Sequence, residues 1–596
     1  MNLIQKIGVF LFVLAFLFFT FLAGWNKFML TEETLNVSND YHKKEIIKVA
    51  KERDVLDNEI SSNIAFVTEL KSVIKESQAN LDTQFSNNPP KDVKEWDFKM
   101  ADWQIKDYIK DTTFSSGTGW VSNNPFTGFL LTFGLAIFGG LLFIIPKFFQ
   151  PAGIKNDGIY HSSLTKGLQF GPKVFILIST IVSVLIYGYF YNGGNFFWSI
   201  VTTIIALIIV AMVFFYEKEK EHSPVRSASV SITGWLGMLF GLYLICFYVM
   251  LYWRPELVAN WVTIVSPISE KLSGNPASQW FLYGLMYTVI VLVMGIRMIS
   301  KYRHNKYQMV RTASVMFFQT CIAFTLPEIL VRLNYPYYDF KNIWPLNYSF
   351  FFDYNINTLM SSGNLGIFMM VWGIALILIG VPVITYFYGK RWYCSWVCGC
   401  GGLAETLGDP FRQLSDKSLR AWKFERYIIH GVLVAAVVMT IMVLYHYFTG
   451  NSNVLGIDSG SLRGWYGFLI GSAFAGVVGT GFYPLMGNRT WCRFGCPLAA
   501  YLGLVQRFKS RFRITTNGGQ CISCGNCSTY CEMGIDVRAY AQKGQDIVRS
   551  SCVGCGVCSA VCPRGVLRLE NASGDVNTRT DQLRTIHISE DQVGIL

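Results

Sequence analysis

The sequence predicts a polytopic α-helical membrane protein with about ten transmembrane helices, followed by a small polar α+β module. Of its 596 residues, 52% are hydrophobic and only 15% are charged, whereas a soluble globular chain carries about 25% charged residues. Apolar runs of about 20 residues, the length that crosses a bilayer as a helix, recur up to residue 486. These observations exclude an ordinary soluble enzyme. They also assign the net charge of +12 to association with a lipid membrane and not with nucleic acid.

Ten apolar runs are the candidate transmembrane helices. They lie near residues 4–24, 126–146, 174–191, 196–216, 230–252, 280–299, 312–332, 365–388, 427–448 and 466–486. The Ala-Gly-Trp-Asn segment at 23–26 is a poor signal-peptidase site, so we expect residues 1–25 to form an N-terminal membrane anchor. Helices two to six then lie within residues 126–311, and helices seven to ten within residues 312–513.

The distribution of basic residues predicts the orientation. The short loops on one side carry 24 Lys and Arg, and the short loops on the other side carry four. The basic loops are 147–173, 217–229, 300–311, 389–426 and 487–513; the others are 192–195, 253–279, 333–364 and 449–465. Because cytoplasmic loops hold the excess of Lys and Arg, we expect a multi-pass protein of the bacterial cytoplasmic (inner) membrane with both termini in the cytoplasm.

Residues 26–125 are then the one large outer segment, and we expect them to form a periplasmic helical domain. Apolar residues recur there at helical spacing and predict one amphipathic helix of roughly eight to ten turns. They are Ile46, Val49, Leu56, Ile60, Val67, Leu70 and Ile74. A helical hairpin or a coiled-coil packing surface is the simpler interpretation, and a ligand-sensing bundle is the alternative. The Ser/Gly-rich run at 115–119 is equally well explained as a turn, so a flavin is not supported.

The segment 514–570 contains two matching cysteine runs. The first run is Cys521, Cys524, Cys527 and Cys531, and the second is Cys552, Cys555, Cys558 and Cys562. Both have the C-x2-C-x2-C-x3-C spacing of bacterial two-cluster ferredoxins, in which the fourth cysteine of each run ligates the other cluster. We therefore predict a ferredoxin-like α+β module with two [4Fe–4S] clusters. The ligand sets are Cys521, Cys524, Cys527 and Cys562 for one cluster, and Cys552, Cys555, Cys558 and Cys531 for the other.

Zinc sites and disulfides are the alternatives for these cysteines. Zinc sites usually pair two C-x2-C units without a third cysteine at the same spacing, and disulfides are rare in the cytoplasm. The second run ends in Cys562-Pro563, but the first ends in Cys531-Glu532. We expect Cys531 to ligate iron despite this difference, and we expect the reduction potential of its cluster to change. Residues 571–596 form a polar tail.

Two further cysteine pairs follow the eighth and tenth apolar runs. They are Cys394 with Cys398 and Cys492 with Cys496, each spaced C-x3-C, and basic residues lie beside both. Each pair follows a helical hairpin, so we infer an internal repeat. Soft thiolates at such sites bind copper or another soft metal, or form a redox-active dithiol. Buried inert cysteines are the alternative. Cys400 is either a further ligand or a bystander.

Two ionisable residues inside apolar runs are weaker candidates. Glu328 is either a proton acceptor for a quinol or half of a structural pair with Arg332. His430 is either an interfacial packing residue or part of a haem or quinone site. His430 and His446 are 16 residues apart, about 24 Å along a helix, so they cannot share one haem. The sequence also lacks the C-x-x-C-H motif of covalent haem.

The C-x3-C pairs followed by the two-cluster module resemble the NosR/NapH/CcoG group of bacterial membrane polyferredoxins, over about residues 312–570. The resemblance implies electron transfer at the cytoplasmic membrane, either quinol-linked or in metal reduction. It also implies functional roles for both C-x3-C pairs. Gly399 stands where the first pair of the family has proline, and Cys400 is extra. We find neither the outer flavin domain of the NosR type nor the additional domain of the CcoG type.

The sequence thus predicts an iron–sulfur electron-transfer protein, an oxidoreductase component of the membrane. Electrons would pass between cytoplasmic [4Fe–4S] clusters and a membrane or periplasmic redox partner. That partner could be a quinone, a cytochrome, a flavoprotein or a cytoplasmic electron donor. The alternatives are a copper or metal reductase, an assembly factor for a respiratory enzyme, and a redox sensor. The direction of electron flow is not determined by the sequence.

Overall fold

The computed structural model describes residues 2–87, 98–149, 232–454, 456–517 and 520–571, and the backbone of 586–589 and 592–595. This part of the chain is mostly helical. The predicted spans at 174–191 and 196–216 lie outside the described residues.

Six helices in the described part are long and apolar enough to cross a membrane. They are Leu3–Leu22, Pro125–Phe149, Gln279–Tyr302, Lys306–Arg332, Gly363–Tyr388 and Leu419–Thr449. Each coincides with one of the apolar runs of the sequence. The predicted fold class, a polytopic helical membrane protein, is confirmed by these helices, whereas the count of about ten spans stays a prediction.

The predicted span at 230–252 forms the helix Ile232–Trp253 and continues into a second helix after a sharp bend. Gly237–Trp253 and Pro255–Leu272 meet at 117°, where Pro255 lacks the backbone N–H that a continuous helix would need. The second helix anchors the end of the first membrane helix. Trp261 Nε1 donates to the carbonyl of Phe19 at 2.7 Å, and Asn260 donates to the carbonyl of Leu22 at 2.9 Å.

The last predicted span, 466–486, is helical but irregular, and it is not among the six. It is built from Ser459–Tyr466, Gly467–Val478, Gly479–Gly481 and Tyr483–Met486, the second of which has wide π-helical turns. Its glycines let aromatic rings lie against the backbone. A Cβ at Gly476 would lie 2.8 Å from ring carbons of both Tyr248 and Tyr252.

The described part of residues 26–125 contains three longer helices, with bounds Asp40–Glu52, Asn63–Asn87 and Asp102–Ser115. The strands Phe28–Met29 and Glu59–Ile60 pair antiparallel beside them. The prediction of one continuous helix across 46–74 was wrong. The chain turns between the first two helices, where Asp54 and Asp57 have φ of 55° and 62°, a conformation that Asp tolerates better than most residues. The apolar residues on both sides of the turn share one core.

The C-terminal module joins directly onto the membrane domain. The strands Arg513–Thr516 and Leu567–Glu570 pair antiparallel, and the cysteine loops lie between them. Its short helices are Asn526–Thr529, Val537–Gln542 and Val557–Ala560. The remaining helices of the described part are Trp120–Asn123, Asp353–Ser361, Arg391–Cys394, Gly399–Thr406, Asp409–Leu414, Trp491–Gly495 and Pro497–Lys509. The remaining strand pairs are Asn453–Val454 with Ile457–Asp458, and Ile586–Ser589 with Gln592–Ile595.

Candidate functional site

The eight cysteines of the C-terminal module line two separate cavities. One cavity, which we name the distal site, is lined by Cys521, Cys524, Cys527 and Cys562. The other, the proximal site, is lined by Cys531, Cys552, Cys555 and Cys558. Each cavity takes three cysteines from one run and the fourth from the other run. The structure thus brings together the residues of each ligand set that the spacing predicts.

The backbone around the proximal site is shaped to present thiols inward. Gly554 and Gly556 have φ of 60° and 72°, which glycine adopts without strain. A Cβ at Gly554 would lie 2.7 Å from Cβ of Arg391. The backbone N–H groups of Gly554 and Val557 lie close to the thiols of Cys552 and Cys555. An all-thiol donor set with backbone N–H groups aimed at sulfur is the environment in which [4Fe–4S] clusters are held.

The two sites differ in exposure. At the distal site Cys521 and Cys524 are partly exposed, and the neighbouring Ile522 is 54% exposed. At the proximal site Cys552 and Cys558 are buried, whereas Cys531 and Cys555 are partly exposed. The distal site is therefore the more exposed of the two sites.

Three hydrogen bonds fix the proximal loop to the membrane domain. Tyr307 Oη donates to the carbonyl of Gly554 at 2.9 Å, and Gln308 Nε2 donates to that of Cys555 at 2.7 Å. Ser395 Oγ donates to the carbonyl of Val553 at 2.8 Å. The proximal site is thus held at one end of the helix Lys306–Arg332 and against the first C-x3-C motif.

The two C-x3-C pairs come together into one group, which we name the cysteine tetrad. Its members Cys394, Cys398, Cys492 and Cys496 are each at most 7% exposed. They belong to one core cluster, and the thiol of Cys496 is an electrostatic neighbour of the other three. The Cys400 thiol is a close neighbour of that of Cys398. The repeat predicted from the sequence therefore builds a single site and not two separate pairs.

The first pair is followed by Gly399, which packs against the middle of the helix Lys306–Arg332. A Cβ at Gly399 would lie 2.5 Å from Oε1 of Gln319, the central residue of the 27-residue span Lys306–Arg332. Gln308, which touches the proximal loop, precedes Gln319 by 11 residues, about 16 Å of helix. The chain folds back into the bundle after Tyr388, at Gly389 with φ of 65°.

The connection between Lys306–Arg332 and Gly363–Tyr388 reaches the same depth from the opposite end. Tyr393 Oη donates to the carbonyl of Lys341 at 2.8 Å, and Nζ of Lys341 lies 3.5 Å from the position of a Cβ on Gly399. The tetrad region is therefore contacted by elements from both ends of the membrane domain.

A buried network of charges separates the tetrad from the proximal site. Its members are Arg311, Glu405, Arg412, Arg489 and Glu532, all at most 3% exposed. Arg412 and Arg489 lie 2.8 Å and 2.9 Å from carboxylate oxygens of Glu532, and Glu405 pairs with Arg311 and Arg489. Burial alone would raise the pKa of Glu532, but Arg412, Arg489 and Arg311 together hold that pKa at about 2. No local sequence pattern predicts this network, although Glu532 in the place of proline is a signal of it.

The carboxylates of Glu405 and Glu532 also lie within 4.8 Å of the Cys555 thiol and of each other. Such a group resembles a metal site. The guanidinium groups of Arg311, Arg412 and Arg489 already neutralise both carboxylates, so we assign these oxygens to ion pairing.

The two weaker candidates, His430 and Glu328, are surrounded by groups other than the tetrad thiols. His430 Nδ1 lies 2.6 Å from the carbonyl of Arg426, and its side chain lines a small cavity together with Lys390, Glu425 and Cys492. Glu328 is half-buried, and its role as a proton acceptor or as a partner of Arg332 stays a prediction. The Arg332 guanidinium donates to the carbonyl of Lys271.

Comparison with protein families matches the two cysteine-bearing regions separately. The family model described as "4Fe-4S binding domain" matches residues 370–418 and again residues 467–515, each of which contains one C-x3-C pair. The model described as "4Fe-4S dicluster domain" matches residues 513–563. The double match supports the internal repeat, and both models support iron–sulfur binding.

Curated relatives match just over a quarter of the chain. YccM of Escherichia coli (strain K12), named as an electron transport protein, is 26% identical over 27% of this chain and 47% of its own length. The methylamine utilization ferredoxin-type protein MauN of Paracoccus denitrificans is 30% identical over 29% of this chain and 60% of its length. The ferredoxin-type protein NapH of Escherichia coli is 27% identical over 26% and 53%.

Over the matched residues the chain is similar to NapH-type ferredoxin proteins. The predicted resemblance is thereby confirmed at partial coverage, since the chain spans about half the length of the curated relatives it matches. No solved structure matches the chain. The polyferredoxin relatives and the iron–sulfur family models support electron transfer through iron–sulfur groups, and the apolar helices indicate a membrane protein.

Proposed function

We propose that this polyferredoxin transfers electrons between two cytoplasmic [4Fe–4S] clusters and a redox partner in the membrane or the periplasm. The order of the three cysteine groups carries the proposal. The distal site is the more exposed of the two ferredoxin-type sites, the proximal site is bound to the membrane domain, and the tetrad lies beside the middle of a membrane-spanning helix. Redox groups in this order would lead from a soluble donor or acceptor into the membrane.

The thiols of the distal and proximal sites would each hold one cluster, which when bound supplies single-electron transfer. The chain contributes the remaining functions. It excludes water from the proximal site by burial, and it directs backbone N–H groups at Cys552 and Cys555. It also binds the loop of the proximal site to Tyr307 and Gln308, which keeps that site at a constant position relative to the tetrad.

The tetrad is the third site of the proposal. A single zinc or copper ion with sulfur at about 2.3 Å would bring its thiols to within about 4 Å of one another. Among the described residues, the one group of three or more ligating side chains within 4.8 Å is Glu405, Glu532 and Cys555, which contains no member of the tetrad. The wider spacing of the tetrad thiols favours an iron–sulfur group there over a single copper ion.

We expect electrons to leave toward the periplasm at the end of the helices where the short loops carry few Lys and Arg. The charge asymmetry of the loops supports a cytoplasmic position of the C-terminal module. The connection that carries Lys341 contacts the tetrad region from the other end, so it would lie between the tetrad and a periplasmic partner. In this topology residues 26–125 form a domain on the periplasmic side.

Iron content and electron paramagnetic resonance (EPR) of the purified full chain, prepared without oxygen, test the proposal. We expect about eight irons in the two ferredoxin-type clusters and further iron at the tetrad. Cys524→Ser and Cys552→Ser should each remove one cluster signal, and Cys492→Ser should remove the tetrad iron alone. Cys246→Ser, a lone cysteine in the helix Ile232–Trp253, is the matched control.

The reagent that reduces the clusters indicates the class of electron donor. If menaquinol reduces the clusters, they lie on a quinol-oxidising path. If only dithionite does, the electrons come from a stronger cytoplasmic donor. Wild-type protein without a [4Fe–4S] signal would contradict the proposed function, and a Cys492→Ser variant with unchanged iron would remove the tetrad from it.

A further inference from the structure

Arg489 contacts the tetrad and the surroundings of the proximal site with one guanidinium group. Its Nη1 donates to Sγ of Cys492 at 3.6 Å and to the carbonyl of Cys394 at 3.3 Å, so it touches both halves of the repeat. Its Nη2 lies 2.9 Å from Oε1 of Glu532. One side chain thus joins a tetrad thiol to a carboxylate of the C-terminal module.

Glu532 completes the connection on the other side. It is the residue after Cys531 in the chain, and its carboxylate lies within 4.8 Å of the Cys555 thiol. Glu532 and Cys555 both line the proximal site. The contacts Cys492–Arg489–Glu532 therefore lead from the tetrad to the thiols of the proximal site through one ion pair.

Burial makes this pair electrostatically effective. Arg489 and Glu532 have side chains 0% and 1% exposed, and buried charges are screened far less than exposed ones. A change in charge at either end is therefore felt at the other. The fixed geometry also prevents the two groups from turning away, because Arg412 holds the second oxygen of Glu532 at 2.8 Å.

We infer that the Arg489–Glu532 ion pair is an electrostatic link that sets the potential of the proximal site and couples it to the charge of the tetrad. Both residues are positioning residues, since neither is proposed to ligate iron. The inference rests on the proposed function, which places a cluster at the proximal site. It explains why Cys531 is followed by glutamate, whereas Cys562 of the distal site is followed by proline, which carries no charge.

The test is a redox titration of both cluster signals in the purified full chain, monitored by EPR. Glu532→Gln removes a negative charge, so we expect the proximal cluster to be reduced about tenfold more readily, 59 mV for one electron. Arg489→Gln removes a positive charge, and we expect a shift of similar size in the opposite direction. The distal cluster is the internal reference. Its reduction equilibrium should change less than twofold in both variants.

Glu425→Gln is the matched control. It breaks the ion pair of Glu425 with Arg493, which has a similar length of 3.0 Å and similar burial, and Arg493 follows Cys492 in the same motif. This pair has no contact with Glu532. We expect Glu425→Gln to change the reduction equilibrium of the proximal cluster less than twofold.

Two further variants keep the test decisive. In the double variant Arg489→Gln with Glu532→Gln, the two shifts should largely cancel, which a general loosening of the fold would not produce. If Arg489→Gln loses its clusters, Arg489→Lys replaces it in the test, because lysine retains the positive charge. We expect the reduction equilibrium of the proximal cluster in Arg489→Lys to lie within about threefold of wild type.

Clusters that form in every variant, with a proximal potential that Glu532→Gln and Arg489→Gln leave unchanged, would overturn the link. Equal shifts of both clusters, or an equal shift in Glu425→Gln, would overturn it as well. These outcomes differ from failure of the proposed function, in which wild-type protein itself shows no [4Fe–4S] signal.

Discussion

The hydroxyl of Ser395 donates a hydrogen bond to the backbone carbonyl of Val553 at 2.8 Å. Ser395 follows the first cysteine of the tetrad, and Val553 follows Cys552 of the proximal site. The two segments are 158 residues apart in the chain, yet both partners are at most 1% exposed. This bond attaches the membrane part of the chain to its C-terminal module next to both groups of thiols.

Ser395→Ala should destabilise that attachment. The Val553 carbonyl would remain buried without its donor, which costs about 1–3 kcal/mol. We expect a chelator to remove iron from the proximal site several-fold faster, as measured by loss of the EPR signal of that cluster. Ser559→Ala is the control, because Ser559 Oγ donates to the carbonyl of Leu567 within the module. If both variants release proximal iron at the same rate, the Ser395 contact has no special role.

Gly554→Ala should prevent assembly of the proximal site. Gly554 has φ of 60°, and an added Cβ would lie 2.7 Å from Cβ of Arg391. The variant thus combines a left-handed backbone, which costs about 1–2 kcal/mol for a residue with a Cβ, with a collision. Gly565→Ala separates the two effects, since Gly565 has φ of 63° and no atom within 4 Å of an added Cβ. We expect Gly565→Ala to retain both cluster signals and Gly554→Ala to lose the proximal one.

The grouping of the eight ferredoxin-type cysteines could be predicted because short, regular spacings determine the local loops. The positions of the described membrane helices could be predicted because hydropathy alone decides whether a segment can leave water. The continuous outer helix was wrongly predicted for a related reason. The apolar spacing continues through the turn at Asp54 and Asp57, so periodicity could not reveal that the chain reverses there.

The buried network and the depth of the tetrad depend on contacts between distant parts of the chain. Arg489 reaches Glu405 across 84 positions, and Arg412 reaches Glu532 across 120. No local pattern specifies such partners. The depth of Gly399 likewise follows from the absence of a side chain where Gln319 packs, a tertiary contact that spacing does not encode.

Gly399→Ala should displace the first C-x3-C motif. The added methyl group would lie 2.5 Å from Oε1 of Gln319, well inside van der Waals contact. We expect loss of the tetrad iron with both ferredoxin-type clusters retained. Gln319→Ala in the same chain should restore much of that iron, because it removes the colliding atom. Gly431→Ala is the control, since nothing lies within 4 Å of an added Cβ there and alanine favours a helix. A Gly399→Ala variant with full tetrad iron would contradict the close approach.

His42 should make the stability of the domain at 26–125 depend on pH. Its ring is fully buried, with Nδ1 2.9 Å from Oη of Tyr108 and Nε2 3.1 Å from the carbonyl of Phe98. Burial disfavours the charged ring and lowers the pKa of His42 below its ordinary value of 6.5, although the bond with Phe98 opposes this. Below pH 6.5 the unfolded chain therefore binds a proton that the folded domain excludes.

The stability that His42 contributes is thus complete above pH 6.5 and is lost as the pH falls toward the lower pKa of the folded state. Hydrogen exchange of the helices Asp40–Glu52 and Asp102–Ser115 in the intact protein measures this. We expect protection to decrease progressively as the pH falls below 6.5 in the wild type. His42→Gln should lower protection at neutral pH and remove that slope, whereas His304→Gln, at an exposed position, should preserve it. A slope that persists in His42→Gln would assign the pH dependence to another group, because glutamine cannot titrate in this range.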